Sequence, residues 1–254
     1  MRRRLAALAA VALLVLAAAP VGAQTTALPF PFVDLNVRPA EGNREVVLSV
    51  QLLLLLTVLA IAPSILILMT CFLRIAIVFD FIKRALSLQN APPNQVLMGL
   101  ALFLTVFIMW PTLTEIYDTS LKPFGEGTIG LDEMYTKAEK PLRLFMFRQM
   151  GNDAENIRLF MNMAKQAKPA TLADVPTWVL IPAFVLHEMT VAFKIGILLY
   201  IPFIVIDMVV ASTLMSMGMI MLPPVMISTP FKLILFVLVD GWGLITMQLV
   251  RSFR

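Results

Sequence analysis

Charge, histidine and cysteine are all scarce in this sequence. Of its 254 residues only 14% are charged, and it holds one cysteine and one histidine. One cysteine excludes an intramolecular disulfide, and the two residues together are too few for the usual zinc ligand sets. The net charge is a modest +4, and the chain has no run of basic residues interleaved with aromatic ones. Nucleic acid is therefore not an expected partner.

Catalytic motifs are also missing. The segment that begins with His187 and Glu188 resembles the start of an HExxH zinc motif, but the position of the second histidine holds Val191. Two histidines four residues apart are needed to place both ligands on one helical face. Neither a GxxxxGK[ST] phosphate loop nor a GxSxG nucleophile motif occurs. We expect neither an enzyme nor a cofactor-dependent protein.

Apolar residues, by contrast, are abundant. They make up 59% of the chain, and the mean hydropathy is +0.88. A soluble domain has roughly 45–50% apolar and about 25% charged residues. The composition predicts an all-α membrane protein built from membrane-associated helical hairpins, because a helix satisfies its own backbone hydrogen bonds in lipid.

The first residues have the pattern of a secretory signal. Residues 2–4 are arginines, residues 5–19 are apolar, and small residues precede a predicted cleavage after Ala23. Residues 1–23 are therefore predicted to be a cleavable signal peptide of a bacterial inner-membrane protein. A retained first anchor is the alternative, for which the apolar run is short. The proline-containing residues 24–45 predict an extended arm.

Composition divides the remainder into three blocks. Residues 46–111 predict a first apolar helical hairpin, and the positive-inside rule places its basic turn at Lys83 and Arg84 in the cytoplasm. Residues 112–177 have nearly balanced charge and predict a small soluble helical insertion on the periplasmic side. Residues 178–254 predict a second apolar helical block.

Prolines and hydropathy predict where the helices end. Pro63 is expected to break the first apolar stretch, and Pro111 to end a short helix that begins at Val96. Residues 141–167 show the spacing of one amphipathic helix. The second apolar block is expected to consist of three segments, residues 178–200, 201–222 and 231–250.

A methionine-rich stretch lies within the second block. Met215, Met217, Met219 and Met221 occupy every second position, a spacing that does not form one face of an α-helix. The interrupting residues are Gly218, Pro223 and Pro224. We predict an irregular turn with soft, deformable side chains that could close tightly and re-pack around different partners. A turn simply packed in a membrane-protein core is the alternative.

Six ionisable residues stand out in the apolar blocks: Arg74 in the first block, and Glu188, Lys194, Asp207, Lys232 and Asp240 in the second. Charges at membrane depth are costly, so they pair with one another or face a wet cavity. The sequence leaves two interpretations open. They form structural ion pairs between helices, or they mark a polar pathway or a subunit contact.

Several sequence blocks together resemble one known family. They include PPNQ at residues 92–95, IPF at 201–203, GMIMLPP at 218–224, PFK at 230–232 and VDGW at 239–242. In combination these blocks resemble the FliP family of flagellar type III export-gate proteins, which includes the equivalent injectisome subunits. The resemblance covers nearly the whole chain after the signal peptide.

The resemblance implies an assembly and a mechanism. Family members form a ring of five copies with FliQ and FliR, joined to FlhB inside the basal-body ring and partly raised toward the periplasm. Unfolded export substrates pass through the ring. The family's methionine gasket falls on Met219, Ile220 and Met221, next to Met217, and Ile220 departs from the methionine often found there.

The charged positions of the family carry over to Glu188, Asp207 and Lys232. There the resemblance implies pairing between helices or between subunits. Three other functions stay open: an injectisome subunit, an ion or small-molecule transporter, and a ring scaffold without a gate.

Overall fold

The computed structural model describes residues 43–88, 91–151, 155–167, 169, 171–219 and 221–253. Every regular element in these ranges is a helix, which confirms the all-α prediction. The predicted signal peptide, nearly all of the predicted arm and Ile220 lie outside the described residues. The chain divides into two compact units, Met1–Leu52 and Leu53–Arg254, and every described helix after the first belongs to the second unit.

The first helix, α1 (Asn43–Leu68), begins with polar residues and is predominantly apolar on every side after Gln51. Of its five consecutive leucines, the last four, residues 53–56, are each 57% to 66% exposed. Four successive residues point to all sides of a helix, so this part of α1 is not covered by the described remainder of the chain. A helix that is apolar on every side is typical of a membrane or an assembly interior. The predicted break at Pro63 is wrong, since α1 continues to Leu68.

The second helix, α2 (Phe72–Ala85), is the centre of the core. Its buried residues Ile75, Val78, Phe79 and Ile82 have the i, i+3, i+4, i+7 spacing of one helical face. They pack mainly against α7 (Thr177–Ser216), and other parts of α2 contact α3 (Asn94–Ile116). This arrangement places α2 between two much longer apolar helices.

The helix α3 continues through Pro111, so the predicted end there is wrong. It passes into a π-helical turn, Tyr117–Leu121, and then the short α4 (Lys122–Gly125). A proline removes only one backbone hydrogen bond, and apolar surroundings tolerate that loss when neighbouring groups compensate. The composite Asn94–Gly125 helix has 32 residues and is long enough to cross a bilayer.

Residues 141–167, predicted to form one helix, belong to two, α5 (Leu131–Met150) and α6 (Glu155–Met163). Both pack on α7, and α5 also packs on α3. Arg143 of α5 fastens the segment to the start of α7. Its guanidinium donates to the Val175 carbonyl at 2.7 Å and to the Thr177 hydroxyl.

The helix α7 is a single helix of 40 residues that continues through Pro182 and Pro202. The predicted division at Tyr200 is therefore wrong. At 1.5 Å per residue α7 is about 60 Å long, roughly twice the thickness of a bilayer's hydrocarbon core. Of the described helices, Asn94–Gly125 and Thr177–Ser216 alone are long and apolar enough to cross a membrane as single helices.

The last two helices, α8 (Pro224–Leu238) and α9 (Gly241–Arg251), meet at a bend of 63° and together could form a third, broken span. Asp240 in the bend has a positive φ of 50°. A Cβ at Gly241 would lie 2.3 Å from the Phe236 ring, so any other residue there would force that buried ring to move. The Trp242 ring then packs edge-on against Phe236 and Phe79, with centroid distances of 5.3 Å and 6.3 Å.

Candidate functional site

The methionine-rich turn follows directly from the end of α7, which is closed by a Schellman motif. The Gly218 amide donates to the Met215 carbonyl and the Met219 amide to the Leu214 carbonyl, each at 3.0 Å. Gly218 takes the left-handed conformation that this motif requires, with a φ of 75°. The methionine spacing predicts an irregular turn, and the structure has one at this place.

The other end of the turn is set by proline. Pro223 is extended and Pro224 is the first residue of α8, where its fixed φ favours a helix start and its missing N–H costs no hydrogen bond. Between these two boundaries the methionine side chains project outward. Met221 is 97% exposed, and Met215, Met217 and Met219 are exposed as well. Met219 is the most covered of the four, with 39% of its surface exposed.

Gly218→Ala is expected to destabilise this turn by about 1–2 kcal/mol, the strain of a left-handed conformation with a Cβ. No other atom lies within 4 Å of the added Cβ, so backbone strain is the whole effect. Gly218→Asn is the matched control, because asparagine tolerates this conformation. The measurement is the denaturant midpoint of the purified protein in mild detergent. Equal denaturant midpoints for Gly218→Ala and the wild type would contradict the left-handed conformation assigned to Gly218.

The base of the hairpin formed by α7 and α8 is fixed by Lys232. Its buried ammonium group donates to Asp207 Oδ2 at 2.6 Å, to Ser87 Oγ at 2.9 Å and to the Ala85 carbonyl at 3.1 Å. All three ammonium donors are used. The Ser228 hydroxyl donates to the other Asp207 oxygen at 2.5 Å. Lys232 therefore holds α8, α7 and the carboxyl end of α2 together, where the helix dipole also favours a cation.

A second buried ion pair lies further toward the start of α7. The Arg74 guanidinium on α2 donates to both carboxylate oxygens of Glu188, with 2.8 Å between Nε and Oε2. A second amino group of Arg74 donates to Ser252, to both the hydroxyl and the carbonyl, at 3.1 Å each. The Phe253 ring covers the guanidinium with its centroid 3.9 Å away. This pair joins α2, α7 and the residues after α9.

The structure brings four of these six charged residues together as two separate pairs within the chain, whereas Lys194 and Asp240 are exposed and belong to neither pair. The residues Glu188 and Asp207 are 19 positions apart on α7, or about 28 Å. Asp207 lies on α7 and Lys232 on α8. These two helices are the stems of the hairpin and lead to Met217 and Met221. Ile220 lies outside the described residues.

The two pairs have further partners that the sequence did not predict, because small polar or lone aromatic residues give no signal of their own: Ser87, Ser228, Ser252 and Phe253. The described residues include no cluster of three or more His, Cys, Asp or Glu side chains that could hold a metal ion. The contacts that the described residues make here are ion pairs, hydrogen bonds and apolar packing.

The comparison with protein families is unambiguous. The FliP family model matches residues 55–249. The match includes the stems, the methionine-rich turn and both ion pairs.

Three relatives illustrate the range of similarity, each described as a flagellar biosynthetic protein FliP. The protein from Treponema pallidum is 64% identical over 233 residues, which cover 92% of this chain and 86% of that relative. The protein from Bacillus subtilis is 55% identical over 86% of this chain and 98% of its own length. The protein from Aquifex aeolicus is 42% identical over 88% and 95%.

Proposed function

This chain belongs to the FliP family of flagellar biosynthetic proteins, and from that membership we propose that several copies of it form, with FliQ and FliR, a gated channel for unfolded flagellar proteins. The family makes the chain a component of the flagellar export apparatus. The channel, its five copies and a contact with FlhB are the proposed part. The curated relatives are flagellar, which favours this role over that of an injectisome subunit.

The observation that carries the proposal is the exposed methionine turn on fixed stems. Lys232 and Asp207 hold α7 and α8 together. At the tip, Met217 and Met221 are largely exposed and Met219 is partly so. A ring of such tips would make a narrow apolar constriction. Constrictions of this kind exclude ions because water does not fill them. Unbranched methionine side chains can move apart around a passing chain without a sequence preference.

The exposed apolar surface supports an assembly. Four successive leucines on α1 are exposed, α7 is much longer than a bilayer is thick, and α8 and α9 are separately too short to cross one. Protein neighbours can cover such surfaces where a flat bilayer cannot. We therefore propose that the assembly lies in the bacterial inner membrane at the flagellar basal body, with part of it on the periplasmic side.

Replacing Met219 and Met221 together by alanine is expected to raise ion leak through the assembled complex at least about tenfold. Shortening both side chains widens the apolar constriction, so water and ions enter the passage. The measurement is conductance of the purified complex with FliQ and FliR in a planar bilayer. The same complex is checked for unchanged size.

Met163→Ala is the matched control, because Met163 is an exposed methionine on α6, outside the turn. Its complex should conduct as little as the wild type. If the Met219/Met221 variant assembles fully and stays ion-tight, the gate assignment is wrong and a ring scaffold without a gate becomes the better interpretation.

A further inference from the structure

The two residues that follow α9 fasten its far end to the core. Ser252 accepts two hydrogen bonds from Arg74 on α2, and the Phe253 ring covers the same guanidinium. The side-chain amide of Gln149 on α5 donates to the Phe253 carbonyl at 3.1 Å. We call Ser252 and Phe253 the strap. Its partners lie 178 and 104 positions earlier in the chain, so the strap can bind only when α2 and α5 are in place.

Between its two ends α9 is loosely packed. Among the described helices it makes extensive backbone contact only with its neighbour α8. An open cavity of about 390 Å³ lies between α9 and Ile195 and Leu199 of α7, and another of about 560 Å³ lies between α9 and Phe107 of α3. After the first residue of α9, only Ile245 and Leu249 are buried. Elements with few buried contacts open locally at a lower free energy than the core does.

The start of α9 has the features of a hinge. Asp240 joins α8 to α9 at their 63° bend and has the left-handed backbone conformation. That conformation is unfavourable for a residue with a Cβ, so contacts elsewhere must support it. The packing of Trp242 on Phe79 supplies one such contact, and the strap supplies another at the opposite end of α9. Because hinges are element-terminal residues that absorb backbone changes, α9 can swing about Asp240 when the strap is released.

We propose that α9 is a lid, hinged at Asp240 and closed by the strap, which opens and closes over the Arg74–Glu188 pair while the α2–α7 core stays folded. Closing the lid completes the burial of the Arg74 guanidinium. Opening it leaves the contact between Arg74 and Glu188 in place and uncovers Leu249, which is 2% exposed in the closed position. The lid uses contacts within one chain, so the inference is independent of the proposed channel.

The test follows the rate of thiol labelling by N-ethylmaleimide in the full chain, purified in mild detergent. The single native cysteine is first removed by Cys71→Ala. One reporter is Leu249→Cys, on the buried face of the lid, and the other is Val78→Cys, at a fully buried position of α2. Each reporter is prepared with the strap intact and with the strap weakened by Ser252→Ala/Phe253→Ala.

With the strap intact, both reporters are expected to label slowly. Weakening the strap is expected to speed labelling of the Leu249→Cys reporter at least about tenfold and to leave the Val78→Cys reporter within about twofold. Opening of a lid uncovers its own buried face but not the contact between α2 and α7. Phe103→Ala is the matched control, because it removes a ring that is 77% exposed on α3, and it should change neither rate.

Three outcomes would overturn the inference. Equal acceleration of both reporters would mean that α9 and the core open together, so that the strap only stabilises the whole fold. An unchanged rate for the Leu249→Cys reporter would mean that the strap does not close α9. Fast labelling of that reporter with an intact strap, repeated with Ile245→Cys on the same face, would mean that α9 is not closed at all. None of these results affects the proposed channel, which conductance tests separately.

Discussion

Glu188→Ala is expected to destabilise the protein by about 3–5 kcal/mol, the cost of leaving one member of a buried ion pair without its partner. Arg74 is 2% exposed and Glu188 is fully buried, so water cannot replace the lost carboxylate. Ser252 would still accept a hydrogen bond from the guanidinium, but it carries no charge. The measurement is the denaturant midpoint of the purified protein in mild detergent, together with the yield of folded protein.

Two further variants make this prediction specific. Arg84→Ala breaks the exposed pair with Asp80 on the same helix, and such surface pairs contribute about 0–1 kcal/mol. Replacing Arg74 and Glu188 together by leucine removes both charges and is expected to recover most of the lost stability. If Glu188→Ala lowers the denaturant midpoint no more than Arg84→Ala does, the Arg74–Glu188 pair does not hold α2 against α7.

Gly196→Ala is expected to destabilise the protein by about 1–3 kcal/mol through overpacking. Gly196 lies on α7 where the Phe81 ring of α2 crosses it, and an added Cβ would be 2.5 Å from two ring carbons. One of these is the ring atom nearest the backbone, so a small rotation of the side chain cannot relieve the clash. The two helices would have to move apart along their main contact. The readout is again the denaturant midpoint.

The chain offers a matched glycine for comparison. Gly99 on α3 has no atom within 4 Å of an added Cβ, so Gly99→Ala is expected to be neutral or slightly stabilising, because alanine favours helix. Adding Phe81→Leu to Gly196→Ala makes room for the Cβ and is expected to recover part of the loss. A Gly196→Ala variant as stable as Gly99→Ala would mean that the α2–α7 crossing is looser than the structure has it.

The sequence was sufficient for the helical class, the methionine turn and the family resemblance. Each depends on local signals, such as hydropathy, the positions of Gly218, Pro223 and Pro224, or short specific blocks. The helix ends at Pro63, Pro111 and Tyr200 were wrong for one physical reason. A proline or a change of composition does not by itself end a helix when the surroundings are apolar and neighbouring elements support the helix along its length.

No local sequence pattern could predict which charged residues pair with one another. Arg74 and Glu188 are 114 positions apart, and Lys232 and Asp207 are 25 apart. The sequence identified all four as costly and in need of partners, but only the packing of α2 on α7 decides which partners are within reach.

The Schellman motif at Gly218 ends α7, and Pro224 begins α8. These two boundaries affect how fast a constriction formed by the turn between them can open and close. The segment between them is short and belongs to neither helix, so a passage here can widen through side-chain rotations and loop motion without helix unwinding. Rotations of exposed side chains take picoseconds to nanoseconds and loop motions take nanoseconds to microseconds, whereas shifts of whole helices take microseconds or longer. If these tips line the proposed channel, the constriction would reclose behind the tail of each exported protein almost at once, and the cell's ion gradient would discharge little during each export event.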